Sequence, residues 1–505
     1  MAVANSNKKI AKNTLMLYIR MLFTMAVSLY TSRVILNTLG VEDYGIYNAV
    51  GGIIIMISFL NNTMATATQR FLNFELGQNN QQNLQKVFCT SINLHIIIAL
   101  LVILAAETIG LYFLYNHMTI PESRFEATLW VYHLSILSMS IMIISVPYNA
   151  CIIAHERMDA FAYISVIEVT LKLLIVYLLQ ITNTDKLKLY AILLLCVQLI
   201  IRIIYGYYSK KHFPEAQFKF IFDKMLLKKM SSFAGWDLYG NASVAVRTQG
   251  VNLLFNIFFG PAVNAANGIA TQVQSAVMSF ADNITTAIRP QIIQSYSSTD
   301  YQRTNYLINK SSILIFTLLL TLSMPVIVET KYILQLWLKI VPQYAVDFCQ
   351  LTLIFNLVLI QSRIIMIGIH ATGKIKVPSI CNGTLYLSVI PFSYFIFQYS
   401  GLPYYTYIFN IIVIFIGYLS NIFTLHRHFK EFNHKEYIKK VVVVSIIMII
   451  IFYIIESLCT QYLQPSFIRV IFICCISILL SLTSLYIILA KDERRKIIRF
   501  IFNKK

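Results

Sequence analysis

Apolar runs of about 20 residues recur from one end of this chain to the other, each long enough to cross a hydrocarbon core of about 30 Å. No water is available at that depth. Every backbone N–H and C=O must then be satisfied within the segment, which forces helices. Of the 505 residues, 57% are hydrophobic and only 12% are charged, more apolar surface than a soluble domain of this size could hide. The polar residues 1–12 lead into an apolar segment without a small-residue cleavage site, so no removable signal peptide is expected. The predicted fold class is an all-α polytopic membrane protein.

Fourteen spans are expected. The first six cover residues 14–36, 44–69, 87–113, 127–152, 159–181 and 188–208. Six more cover 234–258, 264–288, 306–328, 346–370, 378–398 and 404–425, and an extra pair covers 440–460 and 466–489. Lysine and arginine crowd into alternate loops. Residues 209–232 carry six lysines, residues 426–440 carry five basic residues, and the tail after Ala490 carries seven. The intervening loops 260–263, 400–402 and 461–465 carry none. By the positive-inside rule the basic segments are cytoplasmic, and with an even span count so are both termini.

Residues 32–47 join the first two spans: an arginine near the end of an apolar run, a turn at Gly40, then Tyr44-Gly45-Ile46-Tyr47-Asn48. The same layout returns 220 positions later, with Gly260 matching Gly40 and Gly268 matching Asn48. Six spans precede the second copy, so both copies enter the membrane in the same direction, as in parallel-repeat transporters. The expected organisation is an N-terminal six-helix bundle (1–208), a basic cytoplasmic linker (209–232), a C-terminal six-helix bundle (233–428), and accessory helices 13–14 with a basic tail (429–505).

The net charge of +19 follows the membrane-topology pattern and gives no reason to expect a nucleic-acid partner. All eight cysteines fall in predicted spans and none forms C-x-x-C, so neither a metal site nor a disulfide framework is indicated. No phosphate-binding G-x-x-x-x-G-K-[ST] is present, no loop has room for a catalytic domain, and no cofactor is expected.

Ionisable groups at membrane depth are costly and tend to face a protein interior or a wet cavity. Here they include Arg20 and Arg33 in span 1, Glu107 in span 3, and Glu168 with Lys172 in span 5. Asp237 and Arg247 follow in span 7, Asp282 in span 8 and Arg363 in span 10. Polar side chains recur at helical spacing around them. Span 2 carries Asn48, Asn62, Thr66 and Gln69; span 7 carries Asp237, Asn241, Thr248 and Asn252; span 8 carries Asn264, Asn267, Thr271, Gln274 and Asp282; span 10 carries Asn356, Arg363 and His370. These stripes predict a hydrated central cavity. Arg33 suits either that cavity or a headgroup-snorkelling role. Glu168 and Lys172, four apart, suit mutual neutralisation. Helices 13 and 14 carry only Lys440, Glu456 and Arg469, near their expected ends, so the polar interior is assigned to the other twelve. Arginine carries a permanent charge on a planar fork that fits phosphate oxygens, while Asn, Gln and Thr suit sugar hydroxyls.

Residues 32–47, the second copy turning at Gly260, the segment Arg70-Phe71-Leu72-Asn73-Phe74-Glu75-Leu76-Gly77 and its partner Arg289-Pro290-Gln291-Ile292-Ile293-Gln294-Ser295-Tyr296 resemble bacterial polysaccharide-repeat (O-antigen or capsule) flippases. Those belong to the multidrug/oligosaccharidyl-lipid/polysaccharide exporter (MOP) superfamily. The resemblance implies two six-helix bundles in a V around the cavity, with two helices appended. It implies a protein of the bacterial cytoplasmic (inner) membrane that moves undecaprenyl-diphosphate-linked oligosaccharide to the periplasmic leaflet by alternating access. Expected partners are that lipid-linked oligosaccharide, membrane lipids, and a polysaccharide polymerase and glycosyltransferases.

The expected diphosphate contacts are Arg20, Arg363, Arg247 and Arg33. Asp237 and Asp282 are the expected ion-coupling acids. Asn48, Asn241, Asn264, Asn267, Gln274 and Asn356 are the expected sugar contacts. Multidrug exporters of the superfamily often place an aspartate in span 1; this chain has Arg20 and Arg33 there and no acid. The alternatives are an ion-coupled small-molecule or multidrug exporter of the same fold and, disfavoured by the short outer loops, a membrane-embedded polymerase or glycosyltransferase.

Overall fold

The computed structural model describes residues 2–117, 120–182, 184–219, 221, 223–338 and 341–488; the side chains of Arg33 and Asn48 lie outside the description. The regular structure among the described residues is helical throughout. The first half contains α1 (Ala2–Gly77), α2 (Gln81–Ala105), α3 (Leu111–His117), α4 (Phe125–Ala154), α5 (Met158–Ile181) and α6 (Lys186–His212). The second contains α7 (Lys224–Phe259), α8 (Pro261–Ser297), α9 (Tyr301–Val328), α10 (Thr330–Leu338), α11 (Ala345–Thr372), α12 (Lys376–Leu387), α13 (Val389–Ser400) and α14 (Tyr405–His428). The chain closes with α15 (His434–Tyr437), α16 (Val444–Tyr462) and α17 (Phe467–Ile488).

Eleven of the expected spans are both long and apolar enough to cross a membrane. The other three are the limb of α1 after Gly40, α7 and α8, of which α7 and α8 run 36 and 37 residues. With eleven such helices among the described residues, the chain is a multi-pass membrane protein.

The predicted repeat is visible in backbone geometry. α1 is two helices merged across Gly40, which sits at φ 81° and ψ 170°. Its counterpart Gly260 has φ 78° and separates α7 from α8. A side chain at such a φ is strained, so glycine is the residue this turn calls for. The next joint keeps the 220-residue offset. Asn79 N–H donates to Leu76 O at 3.1 Å and Asn80 N–H to Glu75 O at 3.2 Å; Thr299 N–H donates to Tyr296 O at 3.1 Å and Asp300 N–H to Ser295 O at 3.0 Å. Asn79 and Thr299 both take positive φ, 54° and 62°. These closures satisfy carbonyls left over at the helix C-termini.

The chain divides into two compact units: residues 1–241 with 289–300, and residues 242–288 with 301–505. The division falls inside α7 and α8 instead of at the basic segment 209–232. In the first unit α4 packs on α1, α2 and α6. Arg124 ties three helix ends together, through Nε to Asp43 Oδ1 at 2.8 Å and through Nη1 to Asp185 Oδ2 at 2.9 Å. Asp185 also caps α6, accepting from Leu187 N–H at 3.0 Å and Lys188 N–H at 3.2 Å. Glu168 and Lys172 pair as expected, at 2.6 Å. Glu107 lies in a π-helical turn, Ala106–Gly110, and pairs with His133 Nδ1 at 2.9 Å.

Part of the basic linker is fastened to this first unit. Asn93 Nδ2 donates to Ile221 O at 2.9 Å, and Gln81 Nε2 donates to Glu215 Oε2 at 3.1 Å. The Glu215 carboxyl is held below the ordinary glutamate range. Burial pushes it upward, but bonds from His155, Gln81 and a backbone N–H outweigh that.

The second unit is centred on aromatic packing. Phe255 stacks on Phe348 at 5.5 Å between centroids, and Tyr407 lies 4.6 Å from Phe348. α11 packs on α14 and α9, and α16 and α17 pack on α9. Here the structure corrects the expectation that the accessory helices lack a polar interior. Glu456 is fully buried, and Arg469 forms an ion pair with buried Glu329 in the turn between α9 and α10, Nε to Oε1 2.6 Å. Arg469 reads as a helix-end position in sequence because its partner Glu329 lies 140 residues upstream.

Candidate functional site

The second unit holds a half-open cavity of ≈ 80 Å³ between α7, α8, α11 and α14, with polar groups set in a partly apolar wall. A buried water needs about 10–15 Å³ on this measure, so the space suits several waters or one small polar group. Four helices supply its wall. Arg247, Thr248 and Val251 come from α7; Asn267, Thr271 and Gln274 from α8; Thr352 and Phe355 from α11; Thr406, Tyr407 and Asn410 from α14. On α8, positions 267, 271 and 274 share one face by their steps of four and three.

Arg247 sets the electrostatics. Its Nη1 donates to Asn410 Oδ1, and its guanidinium lies 5.3 Å from the Phe355 ring centroid and 5.2 Å from that of Tyr386. Its Nε is buried and makes no hydrogen bond. Among the described residues no carboxylate pairs with it. A guanidinium held by an amide and two ring faces sets a cationic group in the wall of this chamber. Such a chamber favours an anion: a phosphate or carboxylate oxygen would gain charge-assisted hydrogen bonds from an otherwise under-used fork.

The amides around Arg247 are pre-positioned. Asn267 donates through Nδ2 to Asn252 Oδ1 and accepts from the Tyr407 hydroxyl. Gln274 Nε2 donates to Asn356 Oδ1 at 2.9 Å, with Asn356 fully buried behind it. The site's polar groups are thus oriented by neighbours rather than left to rotate.

The structure gathers some of the expected residues and separates others. Arg247, Asn267 and Gln274 line the cavity, and Asn356 supports them. Asn264, on α8, is outside the lining. Arg363 is paired with Asp282, Nη1 to Oδ1 2.5 Å, with 44% and 51% of the two side chains exposed. Arg363 is not among the residues that line the cavity.

The remaining candidates belong to the first unit. Arg20 packs its guanidinium 4.6 Å from the Phe161 ring. Asn241 donates to Thr63 Oγ1 at 3.0 Å and to Asp237 Oδ2 at 3.3 Å. Arg33 and Asn48 lie outside the described side chains.

Sequence reasoning missed the α14 wall. Thr406 and Asn410 are four apart with Tyr407 beside them, a polar patch in the first turns of an otherwise apolar helix. That spacing was the available signal.

The fold is MATE-like, as comparison with solved structures shows. A MATE crystal structure in the bent conformation matches at TM-score 0.73, with 13% identity over 84% of this chain and 96% of that one. An outward-facing multidrug-resistance MATE transporter of the MOP superfamily matches at 0.69, with 14% identity over 84% and 97%. A MOP superfamily transporter from Pyrococcus furiosus, whose reversed binding-pocket polarity suggests a different function, matches at 0.68, with 14% identity over 84% and 96%. No protein-family model and no curated protein matches the sequence.

Proposed function

We propose that the protein is an alternating-access transporter that flips an undecaprenyl-diphosphate-linked oligosaccharide from the cytoplasmic to the periplasmic leaflet for surface polysaccharide synthesis. The observation that carries this reading is Arg247, a guanidinium without a carboxylate partner among the described residues, in a chamber lined by amides and hydroxyls. A phosphate is the group that this charge and fork suit. The neighbouring Asn267, Gln274, Thr271 and Thr406 suit hydroxyls of a sugar. The cavity is too small for a whole oligosaccharide, so it would hold the charged end while the rest occupies open space and the polyprenyl tail stays in lipid.

Arg363 would act second. Its pair with Asp282 is exposed on both sides, so exchanging the carboxylate for a substrate phosphate costs little. Asp282, released from that pair, and Asp237 are the candidate acids for ion coupling. Arg20 is a candidate diphosphate contact of the first unit.

The fold also accommodates multidrug exporters. A cationic drug, however, would meet the Arg247 charge with repulsion, which favours an anionic cargo. The test is made in a deletion strain that retains its upstream glycosyltransferases. Lipid-linked oligosaccharide should accumulate where a periplasm-restricted sugar oxidant cannot reach it, and re-expression should clear it. Unchanged exposure to the oxidant, with altered drug susceptibility, would replace the flippase reading with the exporter.

A further inference from the structure

The cluster outside the transport cavity with the most specific donor chemistry lies where the linker meets the first unit. Cys151 and His155 stand four apart at the C-terminal end of α4, which puts both on one face. Glu215 lies in the short 3-10 turn Pro214–Ala216 that follows α6. One sulfur, one imidazole nitrogen and one carboxylate oxygen from these residues lie within 4.8 Å of one another.

From this geometry we infer that Cys151, His155 and Glu215 form a zinc-type metal site that staples the linker to the end of α4. Cys151 Sγ is 3.6 Å from Glu215 Oε1. A tetrahedral zinc ion with bonds of about 2.3 Å to sulfur and about 2.0 Å to oxygen separates those atoms by about 3.5 Å. His155 Nε2 hydrogen-bonds the same Oε1. An ion bound at Nε2 takes the place of the proton there, which moves to Nδ1 of the same neutral ring, and spreads the two atoms to about 3.3 Å, a movement the ring can make by tilting.

The surroundings already orient the ligands. Phe213 stacks on the His155 ring at 4.2 Å between centroids, and Gln81 Nε2 holds Glu215 Oε2 at 3.1 Å. Groups behind the ligands that fix their orientation are a regular part of metal sites.

Charge and access fit as well. Glu215 is 1% exposed, so its carboxylate needs a positive counterpart. A divalent ion bound by thiolate, carboxylate and neutral imidazole is a neutral centre, and the thiol proton leaves to solvent. His155 keeps 25% of its side chain exposed, which leaves a route for the ion and a fourth position for water. A sulfur, nitrogen and oxygen donor set selects zinc over calcium or magnesium. For an ion pair alone the Cys151 thiol would be superfluous, since S–H is a weak donor.

The test uses the full-length protein in detergent, stripped with a chelator and then loaded with cobalt(II) or zinc. The wild type should retain one equivalent through gel filtration, and the cobalt form should show a thiolate-to-metal charge-transfer band. Cys151→Ser should lose the band and the retained metal. Cys89→Ser, at the other cysteine beside the linker, should keep both. Zinc should raise the melting midpoint of the stripped wild type and leave that of stripped Cys151→Ser unchanged, a comparison that also shows whether the variant is folded. Absence of retained metal, or metal retained equally by wild type and a folded Cys151→Ser, would mean an adventitious ion only and overturn the proposal.

Discussion

Two arginines of the second unit, both on membrane-length helices, are handled in opposite ways. Arg469 meets Glu329 through both Nε and Nη2, and its Nη1 donates to Leu463 O at 2.6 Å. Arg247 meets an amide and two aromatic rings. The first arrangement is closed: the charge is neutralised and most donors are used. The second is open, because no carboxylate among the described residues pairs with it. A charge kept at membrane depth without a counter-ion is expensive, and a ligand that supplies the missing negative charge is the simplest reason to retain it.

The largest effect expected from this contrast is on stability at the closed site. Glu329→Ala leaves Arg469 buried and uncompensated, which should cost about 3–5 kcal/mol. Thermal unfolding of the purified protein should show a strongly lowered midpoint. Equal midpoints would mean that Arg469 is as open as Arg247.

At the open site the effect should move from stability to transport. Arg247→Met removes a guanidinium that pairs with no acid, so the midpoint should hold or rise. Translocation should fall by about a hundredfold, the loss of two charge-assisted hydrogen bonds at about 1.5 kcal/mol each. A destabilised variant with normal transport per folded molecule would reverse the assignment.

Arg363 and Asp282 stand between the two cases, paired but exposed. Asp282→Asn should change stability by less than about 1 kcal/mol. If Asp282 carries the coupling proton, the pH dependence of transport should flatten. Unchanged pH profiles in both Asp282→Asn and Asp237→Asn would remove these acids from the cycle.

The smallest effect concerns the Arg124 bridge of the first unit. The Asp185 carboxyl is held below the usual aspartate range: burial opposes this, but Arg124 and the α6 backbone N–H groups outweigh it. A depressed folded pKa stabilises at pH values above the unfolded value of about 3.9, and the benefit disappears as pH falls through the lower folded value. Melting curves between about pH 5 and pH 3 should therefore show a smaller loss in Asp185→Asn than in the wild type.

What was legible in the sequence follows the physics of each signal. A bilayer-length apolar run is a local property, and eleven described helices long and apolar enough to cross a membrane lie where the runs do. Gly40 and Gly260 were legible because a positive-φ turn needs a glycine in a particular place. Partnerships across helices were not. Arg247 and Asn410 are 163 residues apart, Arg469 and Glu329 are 140 apart, and nothing local distinguishes an arginine that finds a carboxylate from one that does not. The same limit hid the Cys151, His155 and Glu215 cluster, because the cysteine rule looks for close spacing and Glu215 lies 60 residues from His155. By sequence Arg20 and Arg363 looked better placed than Arg247 for a diphosphate, because the wall that Arg247 shares with α8, α11 and α14 is made by packing between helices.

The most direct measurement of the central claim is translocation in proteoliposomes. Undecaprenyl-diphosphate-linked oligosaccharide is loaded in the inner leaflet, and its exposure to a membrane-impermeant sugar oxidant is followed for wild type and Arg247→Met. The account predicts that wild type brings the oligosaccharide to the outer leaflet, and that a well-folded Arg247→Met leaves it protected. Equal exposure with both proteins would contradict the role of the open arginine, and no exposure with wild type would contradict the cargo.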